Sequence, residues 1–388
     1  MSQPPCSGPC GARPVRGNRG DSGEDEAMKV TVVGAGLVGL AVAWRLAQRG
    51  VSVVVVDERR AGAASRVGAG LLIPAGGRVS RHQLALKGRS AELYPHFIGE
   101  LEEETGLDCQ FRDVDTLTVA LEPGAQNALS GMSGCLRGLG IEHELLDKQQ
   151  CREREPGLGP QVGGGYLTAD RSVNPEALLK ALREAWSSCS EEFLSETAGA
   201  VSRSSVTLRS GGVVECDRVV VAAGAWIEEL LKLPVYPVKG EVVLLEWSKP
   251  LVYHHLCVQR ESLYLVPRGE STLVVGATEE EVGFDVASGW QRSLIERADR
   301  LVPGVGQLKI QESRVGFRPK VGDGLPLLGE YQGVVVAGGH YRNGILLTPV
   351  TAELISAYLL EGEISKFMRP FLPDRDLRDR RTWGREKK

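Results

Sequence analysis

The chain has 388 residues, 42% of them hydrophobic and 25% charged, with a formal net charge of −4. That length carries two or three domain-sized units and an ample core. The slight acidic excess leaves no electrostatic footprint for nucleic acid or an anionic membrane surface.

Eight cysteines occur without a CxxC pair and six histidines without an HExxH spacing. This usage reads as reduced intracellular thiols, not a disulfide frame, and no metal site is expected. Residues 1 to 27 are rich in Pro, Gly, Arg, Ser and acids and lack an apolar stretch of signal-peptide type. A disordered tail is expected there, with a compact chain able to begin at Met28. No window offers about 18 uninterrupted apolar residues, so a soluble, cytoplasmic protein is expected.

The folded part opens with KVTVVGAGLVGLAVAWRLAQRGVSVVVVDERR. Lys29 to Val33 reads as a buried strand. From Leu37 the period becomes helical, with Leu40, Ala43, Trp44 and Ala47 on one face and Gly50 closing the helix. Val51 to Val56 is β-branched and bounded by charge, the mark of a parallel strand covered on both faces. Together they form a βαβ unit.

The pattern next predicts a helix near 83–104, a strand near 115–121 and a helix near 125–138. Asn174 as N-cap and Pro175 as first helical residue start a helix running to about Ser188. SSVTLRSGGVVECDRVVVAAGAW predicts a hairpin turning at Ser210 to Gly212, then a buried strand from Arg218 to Val221. Residues 235–284 read as a mostly antiparallel sheet. SRVGFRPK reads as a strand with Arg314, Gly316 and Arg318 on one face and Arg318 at its end. GVVVAGG is a buried strand, and a final helix is expected from Ile345 to about Leu360.

Gly34, Gly36 and Gly39 fit GxGxxG between strand and helix. The first glycine allows the tight turn, the second lets a pyrophosphate approach the backbone, and the third permits close helix packing. The anion would rest on the helix N-terminus. Asp57, 18 residues after Gly39, is placed to accept hydrogen bonds from ribose hydroxyls. There is one such fingerprint, and two later strands end in glycine, VVVAAG at Gly224 and VVVAGG at Gly339. Flavoproteins of the glutathione-reductase type bring such strands beside a single FAD, so FAD is expected, with O2 or a quinone taking the electrons. The fold class expected is α/β. A discontinuous Rossmann-like FAD-binding domain would use 28–90, 142–230 and 312–372. A mostly antiparallel substrate domain would use 91–141 and 231–311, with a charged tail at 373–388.

On GAGLVG, AGLLIP, VNPEAL, VVVAAGAW, LYLVPRG with VVGAT, GFRP with GLPLLG, and above all GGHYRNGILLTP, the sequence resembles a known family. It is similar, from about Met28 to Leu372, to glycine oxidases of the thiamine-biosynthesis (ThiO-like) type, in the D-amino-acid oxidase group of FAD enzymes. The resemblance implies that His340, Tyr341, Arg342, Asn343, Gly344, Ile345 and Leu346, following Gly339, wrap the isoalloxazine ring, with Asn343 and Gly344 opening the final helix. It implies FAD contacts at Leu37, Val38, Asp57, Glu58, Ala64, Ser65, Ala69, Gly70 and Leu71, and at Ala198 on the adenine side. Arg318 matches the principal carboxylate clamp, whose planar fork suits a carboxylate. Arg342 faces the same carboxylate and Tyr264 supports it. Glu279 stands where some relatives have an apolar pocket residue; it, Glu280 and Glu281 are expected to face solvent, the alternative being a more polar pocket.

The activity implied is oxidation of glycine, and of small D-amino acids or sarcosine, to the imine and glyoxylate with O2 reduced to H2O2, serving thiazole synthesis in thiamine biosynthesis. Noncovalent FAD is expected, because no cysteine follows Cys257 to attach it. That absence also weakens the alternative of a covalent sarcosine-type oxidase; a D-amino-acid dehydrogenase on the same fold is a further alternative. A non-catalytic flavin-binding subunit of a larger complex is a third reading, against which the paired arginines argue. The expected partners are a small amino acid, O2 and further copies of the chain in a homo-oligomer, with no nucleic acid and no membrane.

Overall fold

The computed structural model describes residues 27–75, 80–122, 124–189, 192–259 and 261–377. The expected tails, apart from Ala27 and residues 373–377, lie outside the described residues.

One sheet has six strands in the order Leu327–Tyr331, Val334–Gly338, Arg218–Val221, Lys29–Val33, Ser52–Val56, Glu192–Leu194. All pairings are parallel except that of the Leu327–Tyr331 edge. Lys29–Val33 lies inside the sheet, so its valines are covered from both sides. On one face pack the helices Leu37–Ala47, Arg81–Thr105, Pro175–Ser188 and Thr348–Glu361, sharing one core with Trp44, Tyr94 and Trp186. A three-stranded antiparallel sheet (Ala198–Val201, Ser205–Leu208, Val213–Glu215) covers the other face through Val206. This is the layered α/β arrangement that a run of β-branched strands with no polar face demands.

The second sheet has nine strands. Its path runs Lys309–Val321, Val235–Glu246, Thr272–Gly276, Tyr264–Arg268, His255–Val258, Arg112–Leu121, Val162–Ser172, Leu71–Leu72, with Glu144–Asp147 also paired to Val162–Ser172. Within it only His255–Val258 and Arg112–Leu121 pair in parallel. The helix Gln291–Leu301 packs on this sheet through Leu294, Ala298 and Leu301.

Two expected boundaries differ. Arg318 does not end its strand, which continues to Val321 and pairs with Val235–Glu246, with one register shift between Leu244 and Leu245. Pro319 does not stop it, because this is the outermost strand of the sheet, where a residue without an N–H is tolerated. The final helix begins at Thr348, not Ile345. Tyr341–Asn343 forms a separate 3-10 turn, and Leu347, at φ −86° and ψ 0°, departs from helical geometry, so Asn343 and Gly344 precede the final helix and do not open it. Among the described residues, no helix is long and apolar enough to cross a membrane.

Candidate active site

A cavity of about 650 Å³ lies where the two sheets meet. Its first wall is the fingerprint loop. Gly34 has φ of +114°, and a Cβ there would stand 2.5 Å from the Ala222 carbonyl oxygen; one at Gly39 would stand 1.9 Å from that of Gly34. The close approach aims the N-terminus of Leu37–Ala47 at the cavity, which Gly34, Gly36, Leu37 and Val38 line. Gly39 packs behind them and does not line it. Leu37 N–H donates to Ser65 Oγ at 3.1 Å. Asp57 lines the cavity and also braces the loop, accepting from Ala35 N–H at 2.7 Å and from Arg59 N–H at 2.6 Å. Glu58 accepts from the Thr197 hydroxyl at 2.6 Å. Ala64, Ser65, Ala69, Gly70, Leu71 and Ala198 complete this half.

The second wall is the segment after Val334–Gly338. His340 to Leu346 line the cavity, whereas Gly339 only turns the chain into it, with φ of +69°. The helix Arg81–Thr105 straps this segment down: Ser90 donates to the Leu346 carbonyl at 2.5 Å and Tyr94 to that of Ile345 at 2.6 Å. His340 is buried against Thr351, its ring nitrogen 3.0 Å from Oγ1. Burial pushes its pKa down to about 4, so the ring is neutral at physiological pH.

The antiparallel sheet supplies the third wall. Arg318 Nη1 donates to the Thr278 carbonyl at 3.0 Å and weakly to that of Lys239 at 3.4 Å. Among the described residues no carboxylate pairs with it. Tyr264 stands nearby, its ring over Gly276, where a Cβ would come within 2.4 Å of the hydroxyl. Burial raises the Tyr264 phenol above its ordinary range, while the guanidiniums of Arg318, Arg268 and Arg342 oppose that shift. The phenol is therefore a protonated donor.

Arg342 lines the same cavity but already holds an anion. Its Nη2 is ion-paired with Glu279 and donates to Ser262 Oγ at 3.0 Å. The Tyr341 hydroxyl donates to the other carboxylate oxygen of Glu279. Of the three acids expected to face solvent, Glu279 and Glu281 are exposed and Glu280 is half-buried, and each also has a polar partner. Glu280 accepts from the Thr278 hydroxyl at 3.1 Å and Glu281 pairs with Lys320 at 2.9 Å.

Other lining residues escaped the sequence. Arg183 comes one helical turn after Leu179, which also lines the cavity; that spacing was the available signal. Its Nε is buried with no hydrogen-bond partner among the described residues. Lys87 lines the cavity from Arg81–Thr105, and burial pushes its pKa down to about 8. Among the described residues no group of three or more His, Cys, Asp and Glu is placed to hold a metal ion.

A family model described as FAD dependent oxidoreductase matches residues 29–358. The chain is 33% identical over 367 residues to the bifunctional protein ThiO/ThiG of Trichormus variabilis, covering 88% of this chain and 54% of that protein. It thus spans about half the length of that relative. It is also 33% identical over 363 residues to glycine oxidase of Geobacillus kaustophilus, covering 88% of this chain and 95% of the relative. The crystal structure of glycine oxidase from that organism superposes with a TM-score of 0.84 at 31% identity, over 91% of this chain and 100% of the other.

Proposed function

The chain belongs to the FAD dependent oxidoreductase family, and from that premise we propose that it oxidises glycine to its imine. The imine is hydrolysed to glyoxylate or passed on to thiazole synthesis, as the likeness to ThiO-type relatives suggests. The balance is glycine, O2 and water giving glyoxylate, ammonia and H2O2. Small D-amino acids and sarcosine fall within the same chemistry. The observation that carries the reading is Arg318, a guanidinium without a carboxylate partner among the described residues, in one cavity with the fingerprint loop.

The chain's own residues fit FAD. The open helix N-terminus at Gly36 to Val38 suits the pyrophosphate, and the unpartnered Arg183 Nε is a donor awaiting an acceptor. Asp57, Glu58, Ala64, Ser65, Ala69 to Leu71 and Ala198 would enclose the adenosine and linker, and His340 to Leu346 the ring system. FAD, when bound, supplies the two-electron acceptor that O2 then reoxidises.

Arg318 would take the substrate carboxylate in a bidentate fork, and the Tyr264 hydroxyl would donate to the same group. Two donors fixed on rigid strands hold the Cα–H in one orientation, and such positioning is worth several kcal/mol of barrier. No base is required if the amine reacts in its neutral form. The reading includes a cytoplasmic homo-oligomer.

The test is oxygen consumption and peroxide formation by the flavin-loaded protein with glycine, D-alanine, sarcosine and D-proline in parallel. Turnover of glycine supports the reading. Activity confined to larger D-amino acids, or none with any of the four, overturns it.

A further inference from the structure

Two guanidiniums, Arg318 and Arg342, line one cavity, and Tyr264 feels the charge of both. Two bare cations over a small pocket favour a dianion. In this chain one of them is neutralised from within, because Glu279 sits on Arg342 with Tyr341 and Ser262 completing the contact.

The placement of Glu279 is built, not incidental. Its neighbours on both sides are tied to the strand Val235–Glu246, which also carries Gly240 beneath Arg318. On one side, Glu241 N–H donates to the Thr278 hydroxyl at 2.9 Å and Thr278 N–H to the Glu241 carbonyl at 3.2 Å. On the other, Glu280 and Lys239 exchange backbone bonds of 3.0 and 2.9 Å. Glu241 is in turn buried and bonded to Ser288, Ser313 and the amides of Gly289 and Trp290. These bonds hold the main chain on both sides of Glu279, and the ion pair itself holds its carboxylate on the arginine.

We propose that Glu279 determines the substrate class: it occupies Arg342, leaving Arg318 as the guanidinium beside Tyr264 and Gly240 that lines the cavity with no carboxylate partner among the described residues, so the site takes monocarboxylic amines and refuses those with a second carboxylate. The inference rests on Arg318 as the carboxylate clamp of the proposed function. Beside Arg342 a second carboxylate meets a guanidinium that is already paired and approaches the like charge of Glu279, an arrangement that discriminates between partners.

The experiment uses the FAD-loaded protein and reads ligand binding by perturbation of the flavin absorbance. Acetate, malonate and succinate are titrated into wild type, Glu279→Gln and Glu279→Ala. Wild type is expected to bind acetate more tightly than either dicarboxylate. Both variants should shift that selectivity toward a dicarboxylate by tenfold or more, and the ratio of kcat/KM for D-aspartate over D-alanine should rise in parallel. Tighter binding of malonate or succinate than acetate by wild type overturns the proposal, and this comparison needs no variant. A variant that weakens all three ligands equally also overturns it, since that is what a merely structural residue does. Reversed selectivity without turnover of glycine would sink the glycine oxidase reading and leave this one standing.

Discussion

Gly240 lies directly beneath the Arg318 guanidinium: a Cβ on residue 240 would stand 2.4 Å from Nη2 and 2.5 Å from Cζ. The two residues belong to paired strands, with Gly240 opposite Gly316 and Val238 opposite Arg318. The absence of a side chain at 240 is therefore what lets the arginine lie flat over the sheet toward the cavity.

Gly240→Ala should displace Arg318 while leaving the fingerprint loop untouched. We expect kcat/KM for glycine to fall by about tenfold or more, carried by KM, with FAD content unchanged. Steady-state kinetics on flavin-loaded protein checks this. Wild-type kinetics would show that the guanidinium position does not matter.

Arg318→Ala should nearly abolish amino acid oxidation with FAD still bound. Stripping one partner from a buried charge pair costs on the order of 3–5 kcal/mol, or roughly 10²–10³ or more in kcat/KM. Arg318→Lys should recover only part, since a point charge replaces a planar fork. Near-normal kcat/KM in Arg318→Ala would remove the basis for the substrate class.

Arg183→Met should weaken FAD without touching the substrate pocket. A hydrogen bond to a charged group is worth about 1.5–3 kcal/mol, so the FAD dissociation constant should rise roughly 10- to 100-fold. Fluorescence titration of the apoprotein reads it. Acid precipitation of wild type should leave the yellow chromophore in the supernatant, as noncovalent binding requires. An unchanged dissociation constant would place Arg183 outside the cofactor's reach.

The elements legible in the sequence are those whose period has one cause. Lys29–Val33, Leu37–Ala47 and Ser52–Val56 follow from burial on both faces, and Pro175–Ser188 announces itself by Asn174 and Pro175. Val162–Ser172 is not legible in the sequence, because VGGGYLTADRS has three glycines where a strand pattern needs side chains. A Cβ at Gly165 would meet the Thr118 carbonyl at 2.9 Å, so it is the partner strand that requires the glycine. Similarly, the motifs locate the fingerprint loop and His340–Leu346, each contiguous in sequence. Gly240 under Arg318 and Glu279 on Arg342 are contacts between segments far apart in the chain, and no local pattern encodes them.

Acid should destabilise the fold through its buried histidines. Burial, with His254 and Arg268 adding to it, pushes His255 down to about 4, below the unfolded value of about 6.5. The unfolded chain then binds more protons, so stability is complete above about pH 6.5 and falls as pH drops toward 4. Each such histidine removes about 3 kcal/mol over that window, and His340 behaves alike. His255→Leu should flatten the decline of Tm between pH 7 and 4.5 compared with wild type. Parallel Tm curves for the two proteins would mean that His255 is not held neutral.

The last prediction concerns pH and Tyr264. Its phenol is raised by burial, which favours its protonated, hydrogen-bond-donating form. If the neutral amine is the reacting form, kcat/KM should climb with pH toward the amine pKa of whichever substrate is used. Tyr264→Phe removes one donor to the substrate carboxylate, worth about 1.5–3 kcal/mol, and should lower kcat/KM roughly 10- to 100-fold. It should not change the shape or midpoint of the profile. A phenol acting as base would give the opposite pattern, with a midpoint fixed across substrates and lost in Tyr264→Phe. Profiles for glycine and sarcosine, measured on both proteins, separate the two. Gly276→Ala offers an independent check, because a Cβ there would press on the Tyr264 hydroxyl and should mimic the loss of the donor with the tyrosine still present.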